Sequence, residues 1–476
     1  MLFNSHIFML LFLPLLLAGW YFLNWKKKFQ LAQGYLIGMS LWFYAYANLQ
    51  YLWLLLFSCL IGWLLSCLPE KIFSEKGKKV LTGVGCVFHL GLLGYFKYSN
   101  FFLENLNTVF HTDFPMLQIL LPVGISFYTF QQLAYLIDRC RGDAPRDSFF
   151  DYLTFMVYFP QLLQGPILLR SEFMGQLKEP ERRRFHAERF SEGIQFFVFG
   201  LAKKVLLADT LAKAVNYGYS NVSMLDSISA LLLAVGYLTE LYFDFSGYCD
   251  MAVGLGKMIG LEVAENFDAP FHSASVKEFW RRWHMTLGRF FTRYVYIPLG
   301  GNRRGKMRTL CNVMIVMLLS GLWHGAAWTF VLWGFLHGVG MIWDNLEHPH
   351  LPKKWMRQAA TFAYVCMTFV FFRAESIAQG FDVLKSIVSL KWNGFVFQMA
   401  SALDLTEFYM ITKALSMKLP GLLSWFWFGI FVVLIAICVR VLSGEKVSDV
   451  IVLQKQKGYG RLYPVLLAVL FTWSMI

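Results

Sequence analysis

Charged residues are scarce in this chain of 476 residues, since Asp, Glu, Lys and Arg together make up only 15% of it. Soluble globular proteins contain about 25% charged residues. Hydrophobic residues make up 57% of the sequence and aromatic residues 18%, and the mean hydropathy is +0.49. This composition excludes a soluble enzyme, a disordered chain and a nucleic-acid-binding protein. It indicates a polytopic membrane protein.

Several motifs of catalysis and metal binding are also missing. The eight cysteines form no CxxC pair, so neither a disulfide framework nor a zinc site is expected. The segment Gly254-Leu-Gly-Lys257 lacks the spacing of a phosphate-binding loop, and the sequence contains no GxSxG or HExxH motif. No internal repeat is visible, which argues against a transporter built from duplicated halves. We therefore expect no metal and no bound cofactor.

The net charge of +13 informs the membrane topology first. Most basic residues lie in short loops between apolar runs, and such loops mark the cytoplasmic side. The first apolar run has no cleavage site and is followed by Lys26–Lys28, so we expect an uncleaved helix with the N-terminus outside. Continued along the chain, this reading predicts an all-α protein with about eleven to thirteen membrane segments, some of them re-entrant.

The apolar segment Phe149–Leu169 does not fit a simple span. Basic residues flank it on both sides, so both ends are expected on the cytoplasmic face. The segment also contains Pro160 and the pair Gly165-Pro166. We predict a broken or re-entrant segment, which is tolerated at membrane depth only where it is enclosed by protein.

Histidines in apolar surroundings are the first candidates for chemistry, because ionisable groups inside a membrane are costly. His324 lies in an apolar run between Gly321 and Gly325. A neutral imidazole there could accept a proton from a hydroxyl group, although a structural histidine bonded to a neighbouring helix is the alternative. His337 follows thirteen residues later, which on a continuous helix places it about 220° away, so a metal pair with His324 is not expected.

The stretch from 255 to 308 combines many arginines with aromatic residues, and it contains His284. It is too charged to span a membrane. We predict an amphipathic helix at the cytoplasmic face, in which His284 could belong to a site or serve as an interfacial anchor. Asp250, near the end of the preceding span, either pairs with this basic stretch or lines the site.

Three longer motifs carry a family resemblance. They are Phe279-Trp-Arg-Arg-Trp-His-Met-Thr-Leu287 with Tyr296-Ile-Pro-Leu-Gly-Gly-Asn-Arg303, then Gly321-Leu-Trp-His-Gly-Ala-Ala-Trp328, and Leu121-Pro-Val-Gly-Ile-Ser-Phe-Tyr128. Together they resemble the membrane-bound O-acyltransferase (MBOAT) family, and within it the bacterial branch typified by the membrane subunit of alginate O-acetyltransferase. The resemblance covers most of the chain. It implies a helical fold around a funnel or tunnel, with the family histidine at His324 and the second signature position at His284.

The resemblance also implies the reaction. A thioester donor, acetyl-CoA or an acyl carrier protein, would enter from the cytoplasm. Its acyl group would pass to a hydroxyl of an extracytoplasmic polysaccharide or to an SGNH-type partner transferase. His324 would act as general base, and His284 would orient the donor, shuttle a proton or stabilise the oxyanion. The expected donor-binding residues are Arg281, Arg282, Arg289, Arg303 and Trp283, and the expected tunnel-lining residues are Asp250 and Trp323.

The organisation implied by the resemblance is a single domain over residues 1–476 in a bacterial inner membrane, in contact with membrane lipid. N-terminal spans would occupy 1–115, a core with re-entrant and catalytic segments 116–345, and C-terminal spans 346–476. Two alternatives stay open. One is D-alanyl transfer from a carrier protein to teichoic acid within the same family. The other is a transporter or flippase without covalent chemistry.

Overall fold

A computed structural model describes residues 1–67, 75–346, 353–405, 408–439, 444, 446–458, 460 and 462–475. Helices make up the structure, and within these ranges there is no β-strand. The predicted all-α class is therefore confirmed. The long apolar runs form helices because a backbone in lipid must satisfy its own hydrogen bonds.

The first half of the chain contains twelve described α-helices. They are α1 Leu13–Trp25, α2 Phe29–Asn48, α3 Leu52–Cys67, α4 Glu75–Leu93, α5 Ser99–Phe110, α6 Ile125–Arg141, α7 Phe149–Val157, α8 Phe159–Leu162, α9 Arg170–Leu177, α10 Ala187–Ala202, α11 Asp209–Ser220 and α12 Ser227–Met258.

The second half contains eleven more in its described part. They are α13 Val276–Arg282, α14 Met285–Phe291, α15 Lys306–His324, α16 Trp328–Asn345, α17 Lys354–Arg373, α18 Ile377–Val388, α19 Phe395–Ser401, α20 Tyr409–Lys418, α21 Pro420–Ile437, α22 Val447–Lys457 and α23 Leu462–Trp473. Short π-helical segments occur at Phe8–Phe12, Gly94–Tyr98, Lys203–Ala208 and Thr292–Tyr296.

Five helical stretches in the described ranges are long and apolar enough to cross a membrane. They are Phe8–Trp25, Leu49–Cys67, Lys76–Phe110, Ser227–Met258 and Lys306–His324. Two shorter apolar helices, Gly421–Ile437 and Leu462–Trp473, accompany them. These helices define a multi-pass membrane protein. The expectation of about eleven to thirteen membrane segments stays a prediction.

The segment at 149–169 is broken, as predicted. Helix α7 ends at Val157, the short α8 carries Pro160, and no helix follows until α9 begins at Arg170. Gly124, from the motif at 121–128, packs directly on this break. It has φ of +78°, and a Cβ there would lie 2.3 Å from the carbonyl oxygen of Leu162. Only glycine fits both requirements.

The chain folds into two compact units, neither of them a continuous segment. The first comprises Met1–Val198, Tyr248–Glu265 and Arg289–Ile297, and the second comprises Phe199–Gly247, Asn266–Gly288 and the described residues from Pro298 onward. Inside the first unit the indole N–H of Trp20 donates to the carbonyl of Ile259 at 3.1 Å. The predicted histidines at 284, 324 and 337 all belong to the second unit.

Asp226 fixes the start of α12 in the second unit. Its carboxylate accepts hydrogen bonds from the amide and hydroxyl of Ser229 and from the amides of Asn393 and Gly394. Burial raises the pKa of this carboxyl, but those hydrogen bonds lower it more, so the pKa lies below its usual value.

We expect Asp226→Asn to lower the stability of the protein by about 1–3 kcal/mol at neutral pH, because two donors lose their acceptor. Since the folded-state pKa is depressed, the stabilisation is present above the unfolded pKa of about 3.9 and is lost as the pH falls through the folded value. Thermal unfolding in detergent at neutral and acidic pH measures this. The difference from wild type should shrink on acidification, and the exposed control Asp382→Asn should show no such trend.

Candidate active site

His324 lies at the tip of a helical hairpin in the second unit. Helix α15 ends at His324, Gly325 is extended, and α16 begins three residues later at Trp328. The two helices approach closely through facing glycines. A Cβ on Gly321 would lie 2.3 Å from the carbonyl oxygen of Phe330, and one on Gly334 would lie 2.5 Å from that of Met317. The hairpin thus holds the end of α15 in a fixed position.

The hairpin changes the relation between His324 and His337. Residues 324–337 do not form one continuous helix, because the chain reverses at Gly325, so the angle given for a continuous helix does not apply. His337 therefore lies on the opposing helix, with the ring of Trp333 in contact with both histidines at centroid distances of 5.2 and 4.9 Å. No group of three His, Cys, Asp or Glu side chains in the described ranges could hold a metal ion.

His337 has a complete set of hydrogen bonds. Its Nδ1 accepts from the indole N–H of Trp280 at 3.2 Å, which leaves the ring proton on Nε2. Nε2 lies 3.0 Å from the hydroxyl of Thr368, and that hydroxyl donates to a backbone carbonyl. The side chain is fully buried. This arrangement is that of a structural histidine.

The ring of His324 is surrounded by aromatic side chains. Its centroid lies 4.8 Å from Trp323, 5.2 Å from Trp333 and 5.1 Å from Phe372. The residue is only partly buried, whereas Trp333 is 1% exposed. An imidazole in such surroundings is held in place by rigid rings and remains accessible to a reactant.

His284 occupies an unusual backbone position between α13 and α14. Its φ is +47°, which is uncommon for a residue other than glycine and costs conformational energy. The predicted single amphipathic helix is therefore wrong in this region, since the chain forms two short helices interrupted at Trp283 and His284. The interruption turns the imidazole inward, and the side chain is 1% exposed.

Asn266 fixes the orientation and the tautomer of His284. Its Oδ1 accepts from the backbone amide of Thr286 at 3.0 Å and from the Thr286 hydroxyl at 3.0 Å. The same oxygen lies 3.2 Å from Nδ1 of His284. Because an oxygen cannot donate, Nδ1 carries the proton and the neutral ring has its lone pair on Nε2. Nε2 is buried and has no hydrogen-bond partner in the described protein.

The two histidines form one site. Their ring centroids are 6.5 Å apart, and the ring of His284 also contacts Phe245 at 4.7 Å and Trp323 at 6.0 Å. With hydrogen bonds of about 2.8 Å to each ring, a single bound oxygen atom could contact both imidazoles. A buried acceptor nitrogen beside a partly accessible imidazole is suited to proton transfer from a hydroxyl group.

The other predicted site residues are distributed differently. Trp323 is buried beside both histidines, as noted above. Trp283 is 4% exposed and packs against Phe267 and Phe279. Arg282 forms an ion pair with Glu278 at 2.9 Å, whereas Arg281 and Arg303 are exposed and pair with no acidic side chain in the described ranges.

Arg289 and Asp250 belong to the first unit, not to the unit that holds the histidines. The guanidinium of Arg289 donates to both carboxylate oxygens of Glu172, one of them at 3.0 Å, and to the carbonyl of Ile167 at 3.1 Å. Asp250 is partly buried on α12. Donor binding by the arginines and a tunnel-lining role for Asp250 both stay predictions.

Asn266, Trp333 and Phe372 were not anticipated from the sequence. Asn266 lies in a non-helical segment before α13, whereas His284 follows that helix, so no pattern in the sequence connects the two. Trp333 and Phe372 are ordinary members of apolar helices in the sequence. Only the folding of α16 and α17 around the end of α15 brings their rings to His324.

An all-helical, multi-pass membrane protein with two adjacent histidines is the class that fold and site define, and the comparisons identify the family. A model of the MBOAT, membrane-bound O-acyltransferase family, matches residues 141–381. The chain belongs to this family and is a membrane-bound O-acyltransferase.

Individual relatives extend the match over most of the chain. A peptidoglycan O-acetyltransferase of Helicobacter pylori is 35% identical over 82% of this chain and 80% of its own length. A probable alginate O-acetylase AlgI of Azotobacter vinelandii is 39% identical over 79% of this chain and 76% of its own. A teichoic acid D-alanyltransferase of Streptococcus thermophilus is 28% identical over 50% of this chain and 58% of its own.

Proposed function

We propose that this O-acyltransferase moves an acetyl group from acetyl-CoA to a hydroxyl of an extracytoplasmic polysaccharide, directly or through an SGNH-type partner transferase. The observation that carries the proposal is the pair of His324 and His284, with the lone pair of His284 Nε2 directed into a buried site. The O-acetyltransferase relatives, at 35% and 39% identity, support an acetyl group over D-alanine.

In the proposed reaction His324 is the general base and His284 has a supporting role. His324 takes the proton of the acceptor hydroxyl as its oxygen attacks the thioester carbonyl. The C–S bond breaks, the acyl–oxygen bond forms, and the proton returns to the leaving thiolate. His284 is neutral with Nε2 as acceptor, which supports hydroxyl orientation or proton relay over oxyanion stabilisation. Arg281 and Arg303 are the exposed guanidinium groups suited to the donor's phosphates.

Donor choice tests the proposal directly. Purified protein in lipid nanodiscs receives either labelled acetyl-CoA or D-alanyl carrier protein, together with oligosaccharides cut from alginate and peptidoglycan. We expect label to pass from acetyl-CoA to a sugar as an ester. Transfer from the D-alanyl carrier alone would instead support teichoic acid D-alanylation, and transport of sugar without ester formation would support a flippase.

Asn266 is expected to act as a positioning residue for His284. Asn266→Leu removes the acceptor of the Nδ1 proton, and we expect kcat to fall about 10- to 100-fold while the KM for donor changes little. Asn266→Asp keeps an oxygen at the same place and should retain most of the activity. Steady-state kinetics of both variants measure this, and equal losses in the two would contradict a role in orienting the imidazole.

We also propose that the protein lies in the bacterial inner membrane with its N-terminus outside. Support comes from Lys26–Lys28, which are all exposed directly after the first candidate span and would favour the cytoplasmic side. Labelling of a cysteine placed at position 27 by a membrane-impermeant maleimide tests this in intact cells. We expect labelling only after the membrane is permeabilised. Labelling of intact cells would show that the N-terminus has the opposite orientation.

A further inference from the structure

A second polar cluster lies in the unit that holds the histidines. Lys204, in the π-helical segment Lys203–Ala208, pairs with Asp209 at 2.8 Å and with Asp244 at 2.5 Å. Glu240 lies one turn before Asp244 on α12, inside the candidate span Ser227–Met258. Charged residues within spans are costly and are usually functional, and π-helical segments often occur at functional sites.

Arg373 completes the cluster from the end of α17. Its guanidinium donates to Oδ1 of Asn216 at 2.9 Å and lies 5.0 Å from the ring centroid of Tyr219. The carboxylate of Glu240 lies within electrostatic range of both Arg373 and Lys204. The cluster therefore presents cationic, anionic and amide groups together on α11, α12, α17 and the π-helical segment.

Two buried polar atoms in this cluster have no hydrogen-bond partner in the described protein. They are Oε2 of Glu240 and the hydroxyl of Tyr219, whose side chain is 5% exposed. Buried polar atoms are satisfied in the great majority of cases, so an exception requires an explanation. The Glu240 oxygen accepts hydrogen bonds, and the Tyr219 hydroxyl can both donate and accept them. A hydroxyl group of a ligand needs this combination of partners.

Residues of the cluster are next in the sequence to residues that contact the two histidines. Phe372 contacts the ring of His324 at 5.1 Å, and Arg373 is the next residue. Phe245 contacts the ring of His284 at 4.7 Å, and Asp244 is the residue before it. The cluster and the histidine site therefore share two helices, α12 and α17.

We propose that this cluster, defined by Lys204, Asn216, Tyr219, Glu240, Asp244 and Arg373, binds a neutral, hydroxyl-rich sugar of the acceptor. The inference rests on the proposed acyl transfer to a glycan. Sugar hydroxyls both donate and accept, and the cluster offers both functions. Its two cations face three carboxylates, counting Asp209, so it has no excess positive charge to attract a phosphate or uronate polymer.

Kinetics of matched variants test the inference. Purified full-length protein in nanodiscs uses acetyl-CoA as donor and an oligomer of N-acetylglucosamine as acceptor. We expect Glu240→Gln and Tyr219→Phe each to raise the KM for the oligomer at least tenfold while the KM for acetyl-CoA stays within twofold. The exposed control Asp382→Asn, which lies on α18, should change neither value. Unchanged acceptor KM in both variants, or a parallel rise in both KM values, would overturn the inference.

Equilibrium binding separates this inference from the proposed function. A fluorescent N-acetylglucosamine oligomer is titrated into protein without donor. We expect binding that Glu240→Gln weakens at least tenfold, even if the wild type were to transfer no acetyl group. Binding insensitive to Glu240→Gln, or tighter binding of an oligouronate, would each contradict a neutral-sugar site.

Discussion

Replacing His324 with alanine is expected to reduce acyl transfer about 10²- to 10⁴-fold, the range usually lost with a general base. The ring lies at the end of α15, partly accessible and enclosed by Trp323, Trp333 and Phe372. His337 cannot replace it, because His337 is engaged at both nitrogens. His284 keeps an acceptor at Nε2, and its proposed role is to orient the hydroxyl or relay the proton. Initial rates with saturating donor and acceptor measure the loss.

The control for this prediction is His186→Ala, which removes an exposed histidine of the first unit and should leave the rate unchanged. Gel filtration and thermal unfolding show whether the His324 variant is folded, and we expect little change because the ring is only partly buried. A folded His324→Ala protein that kept more than a tenth of the wild-type rate would show that the base lies elsewhere.

Gly321→Ala is expected to produce the second large effect. The new methyl group would lie 2.3 Å from the carbonyl oxygen of Phe330, a backbone atom that cannot rotate away. The hairpin would have to open, which should cost about 1–3 kcal/mol of stability. Because Trp333 lies on the displaced helix, its contact with His324 would change, and a shift of about 1 Å can lower the rate on the order of 10²-fold.

A matched substitution separates this effect from glycine replacement in general. Gly429 lies in the apolar helix α21, and a Cβ there would meet no atom within 4 Å. We expect Gly429→Ala to preserve activity and to stabilise the helix slightly, by up to about 1 kcal/mol. Thermal unfolding and transfer rates of both variants decide the matter. Equal behaviour of the two alanine variants would show that the close hairpin is not required.

The sequence was sufficient to predict the class of fold, and it singled out the two histidines whose rings the structure brings together, although their catalytic roles stay predictions. Hydropathy predicted membrane helices because lipid permits few other structures, and His324 was conspicuous because ionisable groups in apolar runs are rare. The break at 149–169 was predictable from Pro160 and Gly165. In each case the signal was local to the segment concerned.

Relations between distant segments could not be predicted in the same way. The angle between His324 and His337 on one continuous helix does not apply, because the reversal at Gly325 places the two residues on opposing helices. The tautomer of His284 depends on Asn266, eighteen residues away in the sequence and joined to it only by the fold. The ion pair between Arg289 and Glu172 spans a still larger separation. Hydrophobic periodicity in the sequence contains no information about such contacts.

Acetyl transfer to a sugar hydroxyl at the histidine pair is the central claim, and one measurement tests it most directly. Purified wild-type protein and folded His324→Ala protein receive labelled acetyl-CoA and an N-acetylglucosamine oligomer, and the oligomer is analysed by mass spectrometry for an O-linked acetyl ester. We predict that the ester forms with wild type and is lost with His324→Ala. Equal ester formation by the two proteins, or labelled sugar from neither, would contradict direct transfer to a sugar at the histidine pair.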